Sequence, residues 1–129
     1  PGHARGGRRS PARRALDAGF VPDTISTDLY DVNVAGPVFD LPTTLSKFLY
    51  LGMSLEDVLM RATASPARVI SRVPGLGTLE VGAPADISLL AIEDGQFQLV
   101  DSQKNAVTAA KRIVSRLTIS RGRRLTTRL

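Results

Sequence analysis

Apolar and polar residues alternate in two styles along this chain, and the style changes once, at Pro74-Gly75. Before that point the apolar positions recur at helical spacing. Ser10-Pro11 supplies an N-cap with proline at the first helical position, predicting a short helix over Ala12–Ala18 that Gly19 stops. Phe20–Asp28 reads as a strand, its last residues Ile25-Ser-Thr-Asp28 delivering a carboxylate to the C-terminal end. Asp40-Leu-Pro42 repeats the helix-start signal, and Leu45, Phe48, Leu49 and Leu51 form an apolar face before Gly52. Ser54-Leu-Glu-Asp57 resembles a capping box, followed by Leu55, Val58, Leu59 and Ala62 at helical spacing. A further short helix starts at Ser65-Pro66 and carries Ala67, Val69 and Ile70. The expected helices are therefore 40–51 and 54–63, with 65–70 closing a helical corner.

After Pro74 the segment Leu76–Asp86 is too rich in turn residues for a helix. Ile87–Ile92, Phe97–Val100 and Ile113–Ser120 are β-rich, and Glu93-Asp-Gly95 reads as a turn between the first two. By parity Ile113, Leu117 and Ile119 share one face of their strand, with Val114, Arg116 and Thr118 on the other. No internal repeat is visible.

The length of 129 residues suits one ordinary domain or pieces of two small ones, and the 43% hydrophobic content is that of a globular protein. No apolar run is long enough to span a bilayer, so no membrane partner is expected. Without cysteine there is no disulfide framework, thiolate metal site or cysteine nucleophile, which fits a cytoplasmic location. The single histidine, His3, cannot build a His-rich metal site alone. The net charge of +5 changes meaning once it is located. Residues 1–14 carry five arginines and no acid, residues 112–129 carry six and no acid, and the middle holds all twelve acids against six bases. A nucleic-acid module places basic residues on a folded face among aromatic stacking partners. Here the bases lie at the ends while the aromatic residues lie in the acidic middle, which argues against nucleic acid as a partner.

Asp28 is the residue with most chemical content. A carboxylate at a strand's end, beneath a Gly/Pro loop, is where (β/α)-barrel enzymes keep catalytic groups, although turn-forming is the commoner role of such an Asp. The text around it carries a family likeness. Pro22-Asp-Thr-Ile-Ser-Thr-Asp28-Leu, Gly36-Pro-Val-Phe-Asp-Leu-Pro-Thr-Thr-Leu-Ser-Lys47-Phe and Leu51-Gly-Met-Ser-Leu55 resemble the metal-dependent amidohydrolase superfamily, in its amidohydrolase/deacetylase, dihydroorotase-like branch. Ala64-Ser-Pro-Ala-Arg68, followed by Gly77-Thr-Leu-Glu-Val-Gly-Ala-Pro-Ala-Asp86-Ile, resembles that superfamily's closing passage.

The resemblance implies an α/β fold: the C-terminal portion of a (β/α)8 TIM barrel followed by part of a small β-sandwich. Residues 1–73 would supply the last strand and helices of the barrel, and residues 74–129 the β-rich segment of the composite sandwich. It also implies a divalent metal, usually zinc, that activates water against an amide, N-acyl or cyclic amide bond of a small molecule. By the same match Asp28 is the catalytic proton shuttle and a metal ligand, and His3 and Gly36 are substrate-binding positions. The whole enzyme is expected to be a hydrolase, with homo-oligomerisation open. Two departures stand out: Tyr30 occupies a position where the family carries histidine, and the arginine-rich Ala4–Arg14 does not follow the family's text. The family's other metal ligands have no counterpart here, so a C-terminal fragment, inactive alone, is expected. A non-catalytic scaffold and a basic nucleic-acid-binding module are the alternatives.

Overall fold

The computed structural model describes residues 10–126. Four helices, α1 (Pro11–Asp17), α2 (Leu41–Tyr50), α3 (Leu55–Ala62) and α4 (Ala64–Ile70), precede three strands, β1 (Ile87–Val100), β2 (Ala106–Ser120) and β3 (Arg123–Leu125). The strands form one antiparallel sheet in the order β1-β2-β3. Among the described residues no helix is long and apolar enough to cross a membrane.

α1, α2 and α3 begin where side-chain oxygens can take up free backbone N–H groups, and α4 has no such cap. Ser10 accepts from the Arg13 N–H at 3.2 Å, Asp40 from Thr43 at 2.7 Å, and Ser54 from Asp57 at 3.1 Å. These caps match the expected starts, and α4 begins a residue earlier than the Ser65-Pro66 signal. The turn-rich 76–86 segment is held against this corner: a Cβ on Gly77 would meet the Thr63 carbonyl oxygen at 2.6 Å, so only glycine permits that approach.

Two expectations fail, each for a physical reason. Residues 20–28 do not form a strand. A strand is defined by its neighbour, and no described segment pairs with this one. It is held instead through Ile25, whose N–H donates to the Arg61 carbonyl at 2.7 Å and whose side chain is buried, while the Arg61 guanidinium donates to the Pro22 carbonyl. Likewise, Glu93-Asp-Gly95 is not a turn. β1 runs through it with a register irregularity between Asp94 and Phe97, because Glu93 and Asp94 face Arg112 and Lys111 across the ladder. The opposite charges reward continued pairing, and the extra residue is absorbed as a bulge. The reversal comes later, where Asp101 Oδ1 accepts from the N–H groups of Gln103 and Asn105, both at 2.8 Å. β2 accordingly starts at Ala106, seven residues before the expected Ile113.

The core joins helices and sheet: Ile25, Leu45, Val58 and Ile113 are buried together, with Phe48, Leu49, Leu59 and Leu90 packed around them. At its centre lies a buried hydroxyl. Ser46 Oγ donates to the Pro42 carbonyl at 2.7 Å and accepts from the Ile113 N–H at 2.8 Å. β3 covers only Thr118–Ser120 of β2, so further along that edge α2 supplies the missing acceptor.

A charged clamp also ties β1 to β2. Glu93 accepts from Arg112 at 2.7 Å and from Arg116 at 2.8 Å, and the Arg112 guanidinium lies 4.4 Å from the centre of the Phe97 ring. The Arg112 hydrogen bond leads in holding the Glu93 carboxyl below its usual range, with Arg116 adding to it.

Ser46→Ala leaves the Ile113 N–H buried without its acceptor, and a loss of about 1–3 kcal/mol is expected in urea unfolding. An unchanged unfolding midpoint would show that this contact is dispensable. For Glu93, a carboxyl that ionises more readily when folded stabilises the fold above the ordinary glutamate range and ceases to as pH falls through its folded value. NMR titration should place its midpoint below that of an unfolded glutamate, and Arg112→Gln should move it upward. A midpoint indifferent to Arg112→Gln would refute the clamp.

Candidate active-site loop

Asp28 opens a loop that runs to Asp40, the N-cap of α2. It stands in the left-handed backbone region, with φ 51°, a conformation that Asp tolerates better than most L residues. Its backbone surroundings are tied by side chains. Thr27 Oγ1 accepts from the Leu29 N–H at 3.2 Å, Asn33 Oδ1 accepts from the Tyr30 N–H at 2.9 Å, and Asn33 Nδ2 donates to the Asp28 carbonyl at 2.9 Å. The Asp28 carboxylate is exposed, and among the described residues no side chain or backbone N–H is hydrogen-bonded to it. A free carboxylate on a fixed backbone can accept a proton or ligate a cation.

The rest of the loop packs on α2. The Asn33 carbonyl accepts from Gly36 and Val38 at 3.1 and 3.3 Å. Gly36 has φ 130°, and a Cβ there would meet the Phe39 ring at 2.8 Å, so glycine is required both for conformation and for space. Its N–H is engaged and the ring covers the Cβ position, which leaves the carbonyl oxygen for any substrate contact. Lys47 Nζ donates to the Pro37 carbonyl at 2.7 Å, fastening the loop to α2. Partial burial lowers the Lys47 pKa, with Asp101 opposing the shift. Between this loop, α2 and the β1–β2 reversal lies a cavity of about 320 Å³, lined by Thr27, Val38, Lys47, Phe48, Leu99 and Val107 among others. Asp28 is not part of its lining.

His3 lies outside the described residues. Tyr30 is exposed in the same loop, with its N–H held by Asn33. Asn33 itself was not singled out from the sequence. The signal available was an Asn a few residues after a candidate catalytic Asp, a spacing that suits local side-chain-to-backbone bonds.

Zinc and similar cations need about three or four convergent donors. Among the described residues no group of three or more His, Cys, Asp or Glu side chains converges, so these residues do not make a metal site by themselves. The C-terminal basic cluster is also partly engaged. Arg112 and Arg116 hold Glu93, and Lys111 pairs with Asp94, which leaves fewer cations for phosphates than the charge count suggests.

Known proteins resemble this chain over most of its length. A deacetylase of Brucella anthropi is 33% identical over 126 residues, covering 88% of this chain and 31% of the relative. Among solved structures, an adenine deaminase superposes with a TM-score of 0.80 at 31% identity, covering 90% of this chain and 32% of the other. A dihydroorotase gives 0.78 at 30% identity, with 88% and 31% covered. The chain thus spans about a third of the length of each of these proteins. Residues 4–124 match the amidohydrolase family as a whole, and the chain belongs to that family.

Proposed function

We propose that this chain is the C-terminal part of a metal-dependent hydrolase that cleaves C–N bonds of small-molecule amides, N-acyl compounds or cyclic amides. The observation that carries the reading is Asp28: a solvent-facing carboxylate, its backbone fixed in the left-handed region, within a stretch that matches the amidohydrolase family from residue 4 to residue 124. The deacetylase relative supports an amide substrate at the level of its name, and the adenine deaminase and dihydroorotase neighbours support C–N bond chemistry more broadly.

In this reading Asp28 is a metal ligand and the proton shuttle. It takes a proton from the attacking water and returns it to the leaving nitrogen, a role that needs a carboxylate oxygen within hydrogen-bond reach of both. A bound divalent metal, zinc by resemblance, supplies water activation and carbonyl polarisation. The metal's remaining ligands would come from outside the described residues, since those residues lack a sufficient donor set. His3 and the Gly36 carbonyl are assigned to substrate contact. The barrel context is part of the same proposal. Phe20, Leu29, Val32 and Val69 are exposed here, and in a complete (β/α) barrel such residues would lie under neighbouring elements.

Two outcomes test this. In the whole enzyme, Asp28→Asn keeps size but removes the proton acceptor, and kcat should fall about 10²–10⁴-fold with the fold retained. Near-parental turnover would reduce Asp28 to a turn residue. The isolated 129-residue chain, in turn, is expected to bind no stoichiometric zinc at neutral pH and to hydrolyse no amide, for want of donors. Purified monomer carrying one tightly held zinc and showing amidase activity would contradict the assignment of the other ligands to a region outside the chain.

A further inference from the structure

The Asp28 carboxylate lacks any described partner to aim it, yet its backbone stands in the left-handed region and its carbonyl is hydrogen-bonded. A carboxylate one carbon from the main chain takes its direction from φ and ψ, with only χ1 and χ2 left to adjust. Whatever fixes the Asp28 backbone therefore narrows where its oxygens can go. Left-handed φ at a residue other than glycine persists only where neighbouring groups enforce it. A bracing group is visible on the C-terminal side of Asp28. The Asn33 amide brackets Leu29 on the C-terminal side of Asp28, donating to the Asp28 carbonyl at 2.9 Å and accepting from the Tyr30 N–H at 2.9 Å. The Asn33 main chain accepts from Gly36 and Val38, and its own N–H donates to the Tyr30 carbonyl at 3.1 Å. One residue thus links the Asp28 turn to the Gly36–Phe39 segment that leads into α2.

We infer that Asn33 is a positioning residue, whose side-chain amide locks the Asp28–Tyr30 turn and so directs the Asp28 carboxylate toward the reacting groups. The inference rests on the assignment of Asp28 as the proton-transferring carboxylate. Both halves of the amide matter, and they can be separated. Asn33→Asp keeps an oxygen to accept from the Tyr30 N–H but replaces the donor to the Asp28 carbonyl with a second acceptor that repels it. Asn33→Ala removes both bonds.

The test is a double-mutant cycle in the whole, metal-loaded enzyme, with Asp28→Asn as the other axis. Asn33→Asp and Asn33→Ala should each lower kcat about 10–100-fold while KM stays within about threefold, the size expected from misplacing a reacting group by an ångström or less. Adding Asn33→Asp to Asp28→Asn should cost little more than Asp28→Asn alone. In metal-free protein the amide–Hα coupling and chemical shifts of Asp28 should depart from the parental values in both Asn33 variants. Parental kcat in Asn33→Asp would overturn the inference, and so would full additivity with Asp28→Asn. An activity loss that only tracks the loss of folded protein, seen by circular dichroism and the unfolding midpoint, would overturn it too. Near-parental turnover in Asp28→Asn would instead sink the proposed function itself. An inactive Asp28→Asn beside a fully active Asn33→Asp would remove Asn33 alone.

Discussion

The hydroxyl of Ser46 joins the two halves of this chain. β2 has an outer edge that β3 covers only at Thr118–Ser120, and the Ile113 N–H further along it would be buried without an acceptor. An unpaired buried donor costs more than a hydrogen bond returns in water, so something must meet it. A leucine or alanine at position 46 would satisfy the helix pattern equally well and leave that donor stranded. Serine meets both demands by donating to the Pro42 carbonyl, one turn back in α2, and accepting from Ile113. With the backbones brought this close, Leu45 and Ile113 enter one core with Ile25 and Val58.

From that docking the position of the candidate active-site loop follows. α2 is seated on β2, and its N-cap Asp40 is where the loop ends. Lys47, two turns into the same helix, holds the loop at Pro37. The loop's other end is fixed by Ile25, buried in the core and tied to α3 through the Arg61 carbonyl. Both ends of the 28–40 segment are thus anchored in the packed part of the molecule. A loop fastened at two ends and cross-braced by Asn33 loses little further entropy when it meets a ligand, which is what preorganisation requires.

How much of this could be read from the sequence depended on the range of the interaction involved. Helix starts are local: Ser10, Asp40 and Ser54 each cap an N–H within three residues, and all three were legible. The family text around Asp28 and Gly36 was legible too, as the match over residues 4–124 bears out. Glu93-Asp-Gly95 misled because turn residues carry a local signal, whereas what decides here is the ion pairing of Glu93 with Arg112, 19 positions away. The 20–28 strand misled for the opposite reason. Its apolar content has a real cause, the burial of Ile25, but strand identity belongs to a pair, and no described segment provides the second member. Asn33 escaped notice because a polar residue in a Gly/Pro loop has no pattern to break; its role becomes visible only as two hydrogen bonds.

These facts bear on how chemistry is divided between this segment and the rest of an amidohydrolase. A metal site is a convergence of donors from several elements, so a segment with a third of the relatives' length cannot be expected to close one. Placement of a single carboxylate is a different problem. Here it needs a buried Ile25, a capped α2 and an amide that bridges Asp28 and Tyr30, all of which this segment contains. The segment can therefore hold the carboxylate proposed as catalytic using its own contacts, while the proposed cation would need donors beyond the described residues. Leu29 and Val32 within the loop, and Phe20 before it, are exposed apolar residues that neighbouring elements would cover in the proposed barrel. Covering Leu29, which adjoins Asp28, would thin the water around that carboxylate, and exclusion of water strengthens the electrostatic interactions a carboxylate makes. The same contact that completes the core would then also activate the site.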